Sequence, residues 1–290
     1  MGLFQKAERK KAKLRLGLCG PSGAGKTMSA LRLMMGLLDP PYEGKIAVID
    51  TEHASASLYA HVVPFDTMIF EPPYDVTRLL AAMKEAAEAG YQGLIIDSIS
   101  HFWAGEGGLL DEQSAAAKKT GNSYTAWRDV TPKHNRLIEG ILASPLHVIA
   151  TMRSKVDYVM ETNDRGKQVP KKVGLAPIQR EGMDYEFTTV FDIGIDGHLA
   201  SPSKDRTGLF DGWIGLITEE TGKKMRKWLE EGGEPAPSFS EIVALYRKAG
   251  LTDAAIVERV RTVTGRASRA DLTEPDYFAL KADALTLKAS

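Results

Sequence analysis

The chain has 290 residues, enough for one large domain and a small one. Its 37 basic and 38 acidic residues balance, which excludes a global field drawing the whole protein to nucleic acid or to a membrane; any such surface must be local. The single cysteine, Cys19, excludes a disulfide framework, and no apolar run approaches the ~20 residues of a membrane helix, so a soluble protein of the cytoplasm with no membrane partner is expected.

In chain order, residues 1–13 carry Lys6, Arg9, Lys10, Lys11 and Lys13 against Glu8 and read as a basic N-terminal arm, a solvated helix or an electrostatic contact for nucleic acid or a neighbouring subunit. An apolar, alternating run from Leu14 to Cys19 predicts a strand. It feeds the segment Gly20-Pro21-Ser22-Gly23-Ala24-Gly25-Lys26-Thr27, which fits the P-loop pattern G-x-x-x-x-G-K-S/T without a mismatch. A helical run from Met28 to Leu38 leaves it. Strand, glycine loop and helix in that order let successive backbone N–H groups converge on a phosphate, and the helix adds the positive end of its dipole there. Lys26 is placed to reach the β- and γ-phosphates and the Thr27 hydroxyl to sit on Mg²⁺. A nucleoside triphosphate is the expected ligand, held by residues 20–28.

Asp39-Pro40-Pro41 ends that helix. Strands are predicted at Lys45–Asp50, Gly93–Ser98 and Leu146–Thr151, and helices at Asp75–Ala89 and within Tyr124–Leu142. Strands apolar throughout, alternating with helices, predict an α/β fold with a mainly parallel central sheet covered on both faces. The pattern then changes. Residues 153–180 hold seven basic and three acidic residues, with Gly166, Pro170, Gly174 and Pro177, and read as a long basic loop of functional use. A strand follows at Phe187–Ile195, then a hairpin-like run containing Ser203-Lys204-Asp205-Arg206, and a helix around Lys223–Glu230. Residues 231–237, rich in Gly, Pro and Glu, read as a linker. Three short helices with capping boxes, staples and terminal glycines make a small helical module over 238–290.

A P-loop needs a second phosphate-site element, a strand-end Asp that supports the metal. Asp97, closing GLIID, fills that role, with Asp50, closing IAVID, as the competitor. A carboxylate that orients the attacking water is also needed, and Glu52 stands two residues past a strand end.

The run Ile49-Asp50-Thr51-Glu52-His53-Ala54, with Tyr59 seven residues after the Glu, resembles the corresponding segment of bacterial RecA recombinases. Asp97-Ser98 resembles the end of their Walker B strand. Met152-Arg153-Ser154-Lys155, the long loop and residues 181–187 resemble their second DNA-binding loop and the strand after it. The order and length are similar to the Sak-type, RecA-like ATPases of phages. The resemblance covers about residues 12–230. It implies a RecA-like P-loop core over 14–230 in which Glu52 is catalytic beside Lys26, Tyr59 stacks on adenine, and Thr27 with Asp97 holds Mg²⁺. It further implies that Arg153, Lys155, Arg165, Lys167, Lys171 and Lys172 meet single-stranded DNA, with Tyr158 as a stacking ring. Lys204 and Arg206 stand where such proteins carry cations that reach a neighbour's γ-phosphate.

The chain departs from the RecA pattern at Ala56, where an adenine-reading Asp is expected, and at Met152 and Arg153, where a sensor Gln is expected. The implied function is ATP hydrolysis coupled to annealing or strand exchange on single-stranded DNA, in a phage's host cytoplasm. A ring or filament of copies is implied, with the C-terminal helices meeting a replication or recombination protein. Alternatives are a nucleotide-gated DNA clamp with negligible turnover, and a helicase-loader or motor ATPase acting on a protein.

Overall fold

The computed structural model describes residues 9–162, 168–231 and 237–287, with side chains omitted over 156–175. The chain divides into two compact units, Lys13–Glu230 and Met1–Ala12 with Glu231–Ser290.

In the larger unit the elements run β1 (Arg15–Gly20), α1 (Lys26–Leu37), β2 (Ile46–Asp50), β3 (Asp66–Ile69), α2 (Val76–Glu88), β4 (Gly93–Asp97), α3 (Ser100–Ala104), α4 (Leu109–Thr120), α5 (Ser123–Ala143), β5 (His147–Thr162), β6 (Gln168–Pro177), β7 (Thr189–Ile193), β8 (Ala200–Asp205) and α6 (Glu219–Glu230). The sheet order is β3-β2-β4-β5-β1-β7-β8, with β6 paired to β5 alone. All pairings are parallel except β5–β6 and β7–β8. The strand that feeds the P-loop is thus separated by β5 from β4, which ends in Asp97.

Alternation along the strands builds two cores. Leu16 and Leu18 of β1, Val48 of β2, Ile95 of β4, Ile149 of β5 and Phe191 of β7 pack on one face with α1 and α6. Cys19, Ile49, Leu94, Ile96, Val148 and Ala150 point the other way and pack with α2, α3 and α5. A strand buried on both sides must be apolar at every position, which is why these segments read as continuous hydrophobic runs. On the first face, α1 and α6 approach through glycine. A methyl group on Gly36 would lie 1.9 Å from the carbonyl oxygen of Glu219, and one on Gly222 would lie 2.3 Å from that of Leu33.

Residues 153–180 are not an extended loop. β5 runs on past the sheet and pairs antiparallel with β6 from Ser154↔Pro177 to Thr162↔Gln168, with a register shift at Asp157/Tyr158. Pro170 and Gly174 argued against strand, but each strand of a two-stranded ribbon keeps an unpaired edge, where proline is tolerated. Three elements carried too little signal to be predicted. β3 is a four-residue edge strand, all exposed. The five-residue α3 is shorter than two helical turns, and α4 buries only Leu109 and Gln113.

The smaller unit has α7 (Phe239–Lys248), α8 (Asp253–Thr264) and α9 (Glu274–Thr286) around a core of Ile242, Tyr246, Ile256, Val260, Leu280 and Ala284. The Ser238/Glu241 capping box is present, the Glu241 N–H donating to the Ser238 hydroxyl at 3.2 Å and the Ser238 N–H to the Glu241 carboxylate at 2.6 Å. Thr252 caps α8, and a Thr273/Asp276 box opens α9. Asp283 accepts from the Tyr246 hydroxyl at 2.7 Å and from Arg259, so its carboxylate ties all three helices. Two cations of the basic arm pair within this unit, Arg9 with Glu231 at 3.0 Å and Lys10 with Glu274 at 2.7 Å. Lys6 and Glu8 lie outside the described residues.

Candidate functional site

The site forms at the C-terminal edge of the parallel strands, where open α/β sheets place their ligands. Register brings the parts together: Gly20 of β1 is level with Arg153 of β5, and Asp97 of β4 with Asp50 of β2. A cleft of about 660 Å³ opens there. Ser22, Gly23, Gly25, Lys26, Thr27, Met28, Glu52, Tyr59, Asp97 and Arg153 line it. Gly20, Pro21 and Ala24 complete the loop behind these.

The P-loop turns through Gly23 at φ 79° and Gly25 at φ 87°, left-handed conformations that side chains disfavour, and α1 begins at once with Lys26. The Lys26 ammonium donates to the carbonyl oxygens of Gly20 at 2.9 Å and Pro21 at 2.8 Å. Burial lowers its pKa, opposed by the charges of Asp97 and Glu52. These carbonyls are weak partners for a buried cation, and a phosphate would replace them readily.

Asp97 and Asp50, the two rivals for the metal, have different partners. Asp97 accepts from the Thr27 hydroxyl at 2.6 Å and from the Thr151 hydroxyl. Burial pushes its carboxyl up, and the two hydroxyls oppose that. Asp50 is fully buried and accepts from the backbone N–H groups of Glu52 at 2.6 Å and Ala56 at 2.8 Å. It therefore anchors the turn that presents Glu52 and the short 3-10 helix Ser55–Tyr59. Within that turn His53 and Ala54 both have positive φ, at 56° and 63°, a strained conformation that Asp50 holds in place. The oxygen donors of Thr27 and Asp97 fit a small hard cation. Among the described residues there is no cluster of three or more His, Cys, Asp or Glu suited to a metal.

Glu52 is gripped by Arg153. The guanidinium meets both carboxylate oxygens, Nε donating to Oε1 at 2.8 Å and Nη2 to Oε2. Burial works against ionisation of Glu52, but the Arg153 contacts outweigh it, with His101 and Lys26 adding, and hold the carboxyl below its usual range. The resemblance to RecA recombinases assigns Arg153 to the DNA loop. The structure places it in this cleft, because the ribbon begins at the strand end that faces the P-loop. His101, whose Nδ1 lies 2.6 Å from the Thr51 hydroxyl, stacks on Tyr74 at 4.9 Å beside this pair. Neither residue was singled out from sequence, since nothing in their spacing marks them.

Tyr59, half-buried, lines the cleft with Leu58, Arg32, His198 and Leu216. The last two come from segments some 140 residues further on and carry no motif. Lys155 is exposed at the foot of the ribbon. Tyr158, Lys171 and Lys172 lie on the ribbon's backbone, Tyr158 opposite Lys172. Arg165 and Lys167 lie outside the described residues.

Lys204 and Arg206 stand outside the cleft of their own chain, and the expected reach to a neighbour's γ-phosphate is not a matter of this cleft. Lys204 pairs in register with Val190, which is level with Gly17 and so lies toward the N-terminal part of β1, away from the P-loop. Its ammonium donates to the carbonyl of Asp184 at 3.0 Å and to that of Tyr185, and Arg206 donates to the Tyr185 carbonyl at 2.8 Å. Their heads secure a turn of their own chain. The cations of the cleft are Lys26, Arg32 and Arg153.

The glycine loop, the buried strand-end Asp and the intervening strand define a P-loop ATPase. A family profile described as an AAA domain matches residues 12–227, and the chain belongs to that family. No curated protein matches it. Among solved structures it is similar to a KaiC-like protein of the hyperthermophilic archaeon Pyrococcus horikoshii OT3, at 14% identity and a TM-score of 0.39, over 69% of this chain and 89% of that one.

Proposed function

We propose that this ATPase hydrolyses ATP with Mg²⁺, binds single-stranded DNA along the β5–β6 ribbon, and promotes annealing or strand exchange of the kind used in phage recombination. The observation that carries the reading is the position of Arg153. One residue grips the carboxylate that would orient the attacking water, and the strand it belongs to continues as the basic ribbon. Lys26 and the P-loop amides hold the phosphates, and Thr27 with Asp97 holds the metal. Mg²⁺ held there would offset charge building on the transferred group. Glu52, once released by Arg153, polarises the water, and Tyr59 offers a ring to the base.

A strand tying the ribbon to the hydrolytic carboxylate supports DNA-dependent turnover. The same grip favours one second reading, a clamp in which Glu52 stays held and turnover is negligible. ATP hydrolysis measured with and without single-stranded DNA separates the two. We expect stimulation of at least ~10-fold, since removing a held carboxylate from general-base work costs ~10²–10⁴ in rate. Equal, near-zero rates with ATP bound would favour the clamp. An assembly of copies and a protein partner for the C-terminal helices are further parts of this proposal, read from the resemblance to RecA-like recombinases.

A further inference from the structure

A second cleft, of about 580 Å³, lies in the larger unit and shares no residue with the nucleotide site. Its lining is Trp103, Tyr124, Trp127, Arg180, Glu181 and Gly182. The rings of Trp103 on α3 and Trp127 on α5 stack with centroids 5.8 Å apart and planes 22° from parallel. The Arg180 guanidinium stands 5.7 Å over the Trp127 ring. Tyr124, one helical turn before Trp127, leaves 87% of its surface in solvent. Both tryptophans are half-buried, resting on the core beneath, and the buried His134 meets the Trp103 ring edge-on at 5.8 Å. The rings are therefore fixed from below and open above.

Among the described residues no aliphatic side chain lines this cleft, so they offer little surface on which an amphipathic peptide helix could seat its apolar face. Flat rings with an arginine stacked among them suit a ligand that has π-faces and a negative backbone. The neighbouring chain agrees. Arg180 follows β6 by three residues, and between them Gln179 is buried and donates to the Ile99 carbonyl at 2.9 Å, just before α3. The exit of the basic ribbon is thereby fastened beside the helix that carries Trp103.

We propose that Trp103, Trp127 and Tyr124, with Arg180, form a stacking platform for unpaired bases of a single nucleic-acid strand whose backbone continues to the ribbon. The proposal rests on the DNA reading above and adds the site that reads bases rather than phosphates. Stacking of this kind is sequence-tolerant, because every base has a π-face.

The test uses the full chain and two end-labelled oligomers of equal length, oligo-dT and one with abasic sites at alternate positions. The wild type is expected to bind oligo-dT about tenfold tighter than the abasic strand, the loss of roughly one stacked base. Tyr124→Ala and Trp127→Leu should bind the two strands alike, and Tyr124→Phe should restore the preference. Because Tyr124 is so exposed, its substitution leaves the fold intact even where Trp127→Leu does not. Equal binding of both strands by the wild type would overturn the platform and leave the DNA reading standing. So would a preference that survives Tyr124→Ala. Binding of neither strand would overturn the DNA reading and the platform with it. A change in self-association of Tyr124→Ala with unchanged oligomer affinity would assign the rings to a second copy of this chain.

Discussion

The two ends of the parallel sheet both bury charge, and they do it differently. At the C-terminal edge Lys26 leans on two carbonyls, Asp97 on two hydroxyls, and Glu52 on one guanidinium. At the N-terminal edge Arg15, 6% exposed, donates to the carbonyls of Leu14, Leu142, Ser144 and Leu146. The carbonyls of Leu142, Ser144 and Leu146 lie at or near the C-terminus of α5, whose dipole favours a cation. Beside it, His147 Nδ1 accepts the Leu14 N–H at 3.1 Å. The first set of partners can be exchanged for a ligand's oxygens. The second closes the ends of two backbone segments and has nothing to exchange. Buried charge marks a functional site when its partners are replaceable, and a structural joint when they are backbone groups that would otherwise go unpaired.

The comparison is sharpened most by Lys26→Ala. It removes a point charge with two donor contacts to offer, so ATP affinity should fall by ~100-fold or more, as followed by titration calorimetry. Thermal stability should change less than for Arg15, since that ammonium meets two backbone carbonyls against the four that Arg15 meets. Affinity within twofold of wild type would break the assignment of the cleft.

Arg15→Met should invert this pattern. Four carbonyls lose a donor in a buried site, that of Leu14 keeping the Val148 N–H at 2.9 Å, and stability should drop by ~3 kcal/mol in urea unfolding, while ATP affinity of the folded fraction stays level. A loss of ATP affinity without a loss of stability would deny the structural role of this end.

A third test is the pH dependence of the same end. Burial, with the cations of Lys13 and Arg15, pulls the His147 pKa from 6.5 down to about 3. The folded value lies below the unfolded one, so the unfolded chain takes up the proton first. Stability is therefore complete above pH ~6.5 and is lost as pH falls toward 3, by at most about 1.4 kcal/mol per unit. His147→Gln, which keeps an acceptor for the Leu14 N–H, should flatten that slope in unfolding curves. An unchanged slope would shift the effect to His134, whose pKa burial lowers to about 4.

Much of this was legible in the sequence, for physical reasons that differ by residue. The P-loop was legible because its chemistry is packed into eight adjacent residues, and the strands because burial on both faces leaves no room for polar residues. The helix caps Ser238, Thr252 and Thr273 were legible because capping is local. Asp97 and Asp50 read alike, each closing an apolar strand, and only the three-dimensional partners separate them. Arg153 read as a loop cation because nothing local says that β5 stands beside β1. Arg15, inside an apolar run, carried no sign of its role, since three of its four acceptors lie about 130 residues away. Trp103 and Trp127 meet only through the packing of α3 and α5. Long-range partners are what a single sequence hides.

The most direct test of the account is single-turnover hydrolysis by Glu52→Gln, alongside its ATP affinity. An amide keeps the shape of the side chain and cannot polarise the water. The account predicts ATP bound within a fewfold of wild type and hydrolysis slowed by ~10²-fold or more, with DNA present or absent. Hydrolysis at the wild-type rate would contradict it and remove Glu52 from the chemistry.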